Sequence, residues 1–232
     1  MHTLTRYFLA GSVLASFHLG SVQADDAVLI NETFKDQDAS RNPAWKPMKN
    51  AEPWLVAEGA VVPGGTVIFD TLETQDFPPI TNGAFDLTLK VRFESSLRDG
   101  NNRFFLRMRD SNSDRGGYEV VISQGTSNNV LLGAIGASDA ISQKVESTPF
   151  VFPTEDFVPV RWVRDAQGAM KVWVAGDEYL SGTDTGFQTF DVLALGSRSY
   201  ISEGANQPSG MRHFFSDIVL RQGPASLADL KD

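Results

Sequence analysis

Residues 85–93, Phe-Asp-Leu-Thr-Leu-Lys-Val-Arg-Phe, alternate apolar and polar from end to end. Phe85, Leu87, Leu89, Val91 and Phe93 fall on one side, and Asp86, Thr88, Lys90 and Arg92 on the other. That is the period of two of a strand buried on one face. Such a strand needs neighbours to pair its backbone and a second layer to cover its apolar side. The chain offers both. Val158–Val163 and Met170–Val174 flank Arg164-Asp165-Ala166-Gln167-Gly168-Ala169, and Ala175-Gly176-Asp177 turns the chain again. This predicts a hairpin feeding a further strand, with Trp162 and Trp173 as large packing residues.

Strand patterns recur along the rest of the sequence. Val28–Phe34 is short and apolar. Residues 54–62 read as strand, turn and strand around Glu58-Gly59, and Thr66–Phe69 continues after a Pro-Gly-Gly turn. In 103–109, Phe104, Leu106 and Met108 oppose Arg103, Phe105, Arg107 and Arg109. Tyr118, Val120 and Ile122 share one face of the next strand. Val130–Ile135, Gln188–Leu195 and Phe214–Leu220 complete the set. Residues 35–52 are polar and irregular, and only the tail Pro224–Asp232 accommodates a helical turn. Many short strands at about ten-residue spacing, with Gly, Asn, Asp and Pro between them, predict an all-β, single-domain β-sandwich jelly roll over residues 25–232.

The first 24 residues have the layout of a signal peptide. Arg6 is the positive start, Phe8 to Leu19 the apolar run, and Val22-Gln23-Ala24 the small-residue cleavage site, so Asp25 is the expected mature start. The run is short for a bilayer span, although an uncleaved anchor is the other reading. The expected location is periplasmic or extracellular. The chain has no Cys, which removes disulfides, thiolate metal ligands and a lipidated terminus. No later segment is apolar for long enough to predict a membrane span. The formal charge is −9, and loss of Arg6 makes it more negative. An acidic surface repels nucleic acid and anionic lipid and leaves neutral sugars, cations or proteins as partners.

In chain order the pieces resemble the concanavalin A-like lectin/glucanase superfamily. They are Asn31-Glu32-Thr33-Phe34, the 54–62 segment Trp-Leu-Val-Ala-Glu-Gly-Ala-Val-Val, the Phe85–Phe93 strand, Arg107 with Gly117-Tyr118-Glu119-Val120-Val121-Ile122, the 158–180 hairpin, and Phe215-Ser216-Asp217-Ile218-Val219-Leu220. Within it, this order is most similar to the 3-keto-disaccharide hydrolase domain family of exported bacterial proteins. The chain departs from that pattern at Val121, where a Gln is usual, and at Ala175, where an Asn or Asp precedes the Gly. The Glu-x-Asp-x-Glu strand of the laminarinase branch is missing. The resemblance implies a jelly roll that holds carbohydrate, poly- or oligosaccharide, in the concave groove of one sheet. It also implies, as the other reading, hydrolysis of (3-keto-)glycosides. It further implies a structural Ca²⁺ between the first and last strands, where Glu32 and Asp217 occupy the matching positions; otherwise each caps a strand end.

Arg107, Arg109 and Glu119 form the best-defined polar cluster. All three point away from the predicted core, so paired strands place two guanidiniums and a carboxylate on one sheet face. Such a group hydrogen-bonds sugar hydroxyls; equally, it is a solvated cross-strand ion pair. In the enzyme reading Glu119 is the acid/base. Phe105, Trp45 and Tyr200 are aromatics outside the clear core alternation and are candidates to stack on sugar rings, with core packing the alternative. Asp110-Ser111-Asn112-Ser113-Asp114 spaces oxygens as calcium loops do, but Arg115 stands where such a loop needs Gly, so an ordinary turn is expected. His213 is the sole histidine after the leader, and no nucleophile elbow, P-loop, dinucleotide or zincin motif occurs. The expected function is carbohydrate recognition, with enzyme and ligand-free envelope protein as alternatives.

Overall fold

The computed structural model describes residues 27–41, 43–48, 53–64, 69–93, 101–112, 116–125, 128–136, 141–147, 151–152, 156–199 and 212–230. The expected signal peptide, Tyr200 and residues 113–115 of the Asp/Asn loop lie outside them. The strands are β1 (Val28–Glu32), β2 (Lys46–Pro47), β3 (Trp54–Ala57), β4 (Ala60–Pro63), β5 (Phe69–Thr74), β6 (Phe85–Phe93), β7 (Asn101–Arg109) and β8 (Gly117–Gly125). They continue as β9 (Asn129–Ile135), β10 (Ile141–Ser147), β11 (Val158–Arg164), β12 (Ala169–Val174), β13 (Asp177–Thr183), β14 (Val192–Ser199) and β15 (His213–Gln222). A single 3₁₀ turn, Leu227–Asp229, forms in the tail, capped by Ser226.

The strands form two antiparallel sheets. One runs β13-β12-β11-β6-β15-β4-β3, with β1 added on β15; the other runs β10-β9-β8-β7-β14-β5-β2. The chain is therefore an all-β sandwich. The alternation of β6 explains the arrangement: its five apolar residues are buried at 0–2% exposure, and the inner faces of both sheets join them in one core. Aromatic edges knit the two layers together. Phe85 meets Trp162 at 4.9 Å, edge to face, and Phe104 of the opposite sheet meets Phe215 at 5.9 Å.

Three features differ from expectation or extend it. Strands β2 and β10 were not expected, and both are sheet edges. An edge strand is buried on neither side as a central strand is, so its sequence carries little alternation. Trp162 is fully buried, but Trp173 is not a core residue. Met170, Val172 and Val174 take the inner positions of β12, which leaves Trp173 on the outer face, partly exposed. Arg164, expected to open a turn, is fully buried. Its guanidinium donates to the carbonyls of Gly83 (2.7 Å), Asp184 (2.9 Å) and Phe187 (3.0 Å), which binds two loops to the hairpin. Tyr118 donates to the Asp184 carboxylate at 2.6 Å in the same knot.

Candidate functional site

Strands β7 and β8 are paired in register, with Arg107 opposite Glu119 and Phe105 opposite Val121. Because Leu106, Met108, Tyr118 and Val120 face the core, the other residues face outward from the seven-stranded sheet. The Arg107 Nε donates to a Glu119 carboxylate oxygen, and both side chains are about 5% exposed. Arg109 shares that face one step further along β7, opposite Gly117, and is 2% exposed. The structure thus brings Arg107 and Glu119 into direct contact and places Arg109 beside them. It also shows them to be buried, where an exposed ion pair was the alternative expectation. A charge pair held out of water has stronger hydrogen bonds and a higher cost of losing either partner.

The register extends this pair into a row across the sheet. Lys46 pairs with Glu73, Glu73 with Ala194, Ala194 with Arg107, Arg107 with Glu119, and Glu119 with Gly133. Lys and Glu begin the row, and the Arg–Glu pair is flanked on one side by a methyl group and on the other by a bare backbone. At the Lys46–Glu73 end a polar cavity of about 340 Å³ opens, lined also by Ala44, Gln75 and Asp76. Sequence reasoning missed Glu73 and Lys46. Their strands, β5 and β2, were read short or not at all, so no pattern placed them on the face of Arg107.

The aromatic candidates are held otherwise than expected. Phe105 is 3% exposed. Its ring lies where a side chain at Gly196 would stand, with the Arg107 guanidinium 4.3 Å from its centroid. It is the floor under Arg107 rather than an open platform. Trp45 is 5% exposed and sits in the core, 6.3 Å from Phe34, so packing claims its ring.

Glu32 and Asp217 do not converge. Glu32 lies opposite Ile218 on the inner face and accepts from the Phe34 N–H at 2.6 Å. Burial raises its pKa, opposed by that backbone donor. Asp217 sits in a bulge of β15 at φ +48°, faces outward and pairs with Lys90 at 2.8 Å. The two carboxylates are on opposite sides of the eight-stranded sheet, so they do not fit one Ca²⁺. Among the described residues no group of three or more His, Cys, Asp or Glu could hold a metal. The described part of the Asp110 loop is an Asx turn, Asn112 N–H to Asp110 at 2.8 Å, with Ser111 held by Asp191. No described helix is long and apolar enough to cross a membrane.

No family model matches the chain, and no curated protein matches it. Solved structures do. The carbohydrate recognition domain of Emp46p in its metal-free form aligns with a TM-score of 0.64 at 12% identity, covering 85% of this chain and 96% of that one. The same domain is known in a potassium-bound form. The carbohydrate-binding module CBM66 from Bacillus subtilis aligns at 0.57 and 8% identity, covering 77% and 95%. A Bacillus subtilis protein of unknown function with a galectin-like fold aligns at 0.59 and 8%, covering 84% and 96%. The fold is that of the lectin-like β-sandwiches, as the strand pattern of the sequence led us to expect.

Proposed function

We propose that this protein is an exported carbohydrate-binding domain, and that a glycan lies on the outer face of the seven-stranded sheet at the Lys46–Glu73 end of the row, with the buried Arg107–Glu119 pair as fixed scaffold further along it. One observation carries the reading: the register row that holds the buried Arg107–Glu119 pair ends in a polar cavity lined by Lys46, Glu73, Gln75 and Asp76. Sugar hydroxyls donate and accept, so they match a wall that offers ammonium, amide and carboxylate together. The lectin-like neighbours support sugar as the partner class.

The spacing of the carboxylates in the row does not match a glycosidase pair. Paired glycosidase carboxylates stand about 5–9.5 Å apart. Glu73 and Glu119 are three strand steps apart in the row, which at about 4.8 Å per step is about 14 Å. An array of bacterial, plant and algal glycans followed by calorimetry tests the proposal. Micromolar-to-millimolar binding weakened at least about fivefold by Glu73→Ala or Lys46→Ala is expected. No binding to any glycan overturns it. Turnover of a 3-keto-glucoside that Glu119→Gln abolishes replaces it with the hydrolase reading, and a mature terminus at Asp25 in the exported fraction supports secretion.

A further inference from the structure

The outer face of the other sheet carries a second constellation. Trp173 of β12, Arg161 of β11 and Thr88 of β6 stand in one cross-strand row. A cavity of about 500 Å³, the larger of the two described on outer sheet faces, is lined by these three residues together with Lys90, Asp217 and Leu230. That is within the roughly 300–1,000 Å³ of small-ligand sites. The indole is framed by cations: the Arg161 guanidinium is 5.5 Å from its ring centroid and the Lys171 ammonium 5.9 Å. Each cation is itself held in place. Arg161 donates twice to Asp86, at 3.1 and 2.7 Å, and Lys171 pairs with Glu178 at 2.8 Å. Across the cavity Lys90 pairs with Asp217, whose left-handed backbone aims its carboxylate outward.

We propose that this cavity is a second carbohydrate-binding site, for a neutral oligosaccharide, on the sheet face opposite the first. The charges decide the class. Three cations, Lys90, Arg161 and Lys171, are matched by three carboxylates, Asp86, Asp217 and Glu178, so the wall attracts neither an anion nor a cation. It still offers donors and acceptors on all sides of a flat aromatic ring. A polyhydroxylated ring with one apolar C–H face satisfies both demands, whereas an apolar peptide leaves the ion pairs desolvated and unmatched. The ring is presented by a two-strand hairpin in the body of the sheet, which fixes it without loop rearrangement. The domain then holds glycan on two faces about a sandwich apart.

Calorimetry of the purified protein with cellohexaose, laminarihexaose, mannohexaose and chitohexaose, and with hexagalacturonate as the acidic control, tests this. At least one neutral hexamer binds; Trp173→Ala weakens it at least about tenfold and Trp173→Phe by less than about threefold, the pattern of a stacking anchor. Thr88→Val, which keeps shape and removes one hydroxyl, weakens it measurably. Unchanged affinity for every hexamer in both Trp173→Ala and Thr88→Val overturns the site. Hexagalacturonate binding as tightly through Trp173 as the neutral hexamers overturns the charge argument. Loss in Glu73→Ala, with neither Trp173→Ala nor Thr88→Val having an effect, overturns this site and leaves the seven-stranded face as the binding surface.

Discussion

His213 makes the fold acid-labile by an amount that can be worked out. It opens β15 with no exposure, its ring edge-to-face with Phe93 at 4.5 Å and its Nδ1 bonded to the Ser197 Oγ. Nε2 has no partner among the described residues. Burial pulls its pKa from 6.5 down to about 3. Above pH 6.5 neither folded nor unfolded chain binds the proton, so the histidine costs nothing. Between 6.5 and about 3 only the unfolded chain binds it, and stability falls as pH falls, by about 1.4 kcal/mol per unit. By pH 5 the loss is about 2 kcal/mol, against a typical total of about 5–15 kcal/mol.

The measurement is urea unfolding of wild type and His213→Gln between pH 7.5 and 5. Glutamine keeps a hydrogen-bonding group for Ser197 and cannot charge. The other two histidines lie in the first 24 residues, and the carboxylates titrate alike in both proteins, so the difference between the curves isolates His213. At pH 7.5 the variant is the less stable by its packing defect. That gap closes by about 2 kcal/mol by pH 5. A gap that stays constant across this range refutes the reasoning, because it means the imidazole is protonated as readily in the folded chain as in the unfolded one.

Two further outcomes follow from local geometry. In Gly196→Ala the new Cβ stands 1.7 Å from the Phe105 ring, so the ring must leave its place under Arg107. A loss of about 1–3 kcal/mol is expected, and Phe105→Ala in the same chain recovers part of it; strictly additive thermal shifts would contradict the contact. Ala175 adopts φ +56° in the turn before Gly176, a conformation that Asn tolerates better. Ala175→Asn therefore stabilises by about 0.5–1 kcal/mol, seen as a higher urea midpoint at unchanged slope, and a lower midpoint counts against the turn.

Central strands were legible because burial on one face writes itself into the sequence. The alternation of β6, and the opposition of Leu106 and Met108 to Arg107 and Arg109, gave the correct faces without any structure. The edges β2 and β10 were not legible, and the row partners Lys46 and Glu73 went with them. Burial of the outward Arg–Glu pair was also beyond the sequence, since alternation tells which way a side chain points and not what lies over it. The calcium pair failed for a related reason. Glu32 and Asp217 lie near each other along β1 and β15, but the bulge at Asp217 changes the side from which its carboxylate emerges. A one-residue irregularity of that kind leaves no trace in composition or spacing.

Trp162 and Trp173 show how finely such side-choices are set. The hairpin pairs Arg164 with Met170, so Trp162 faces Val172, and Arg161 faces Trp173. A slip of one residue would bring the two indoles onto the same face and bury both, as packing residues. The turn forbids the slip. The Asp165 carboxylate accepts from the N–H groups of Gln167 and Ala169, and its second oxygen accepts from Leu227 of the tail. The Asp165 N–H closes the loop onto the Ala169 carbonyl at 2.9 Å. One aspartate thus fixes the register. The register turns one tryptophan into core, and it places the other at the centre of an open, charge-balanced face.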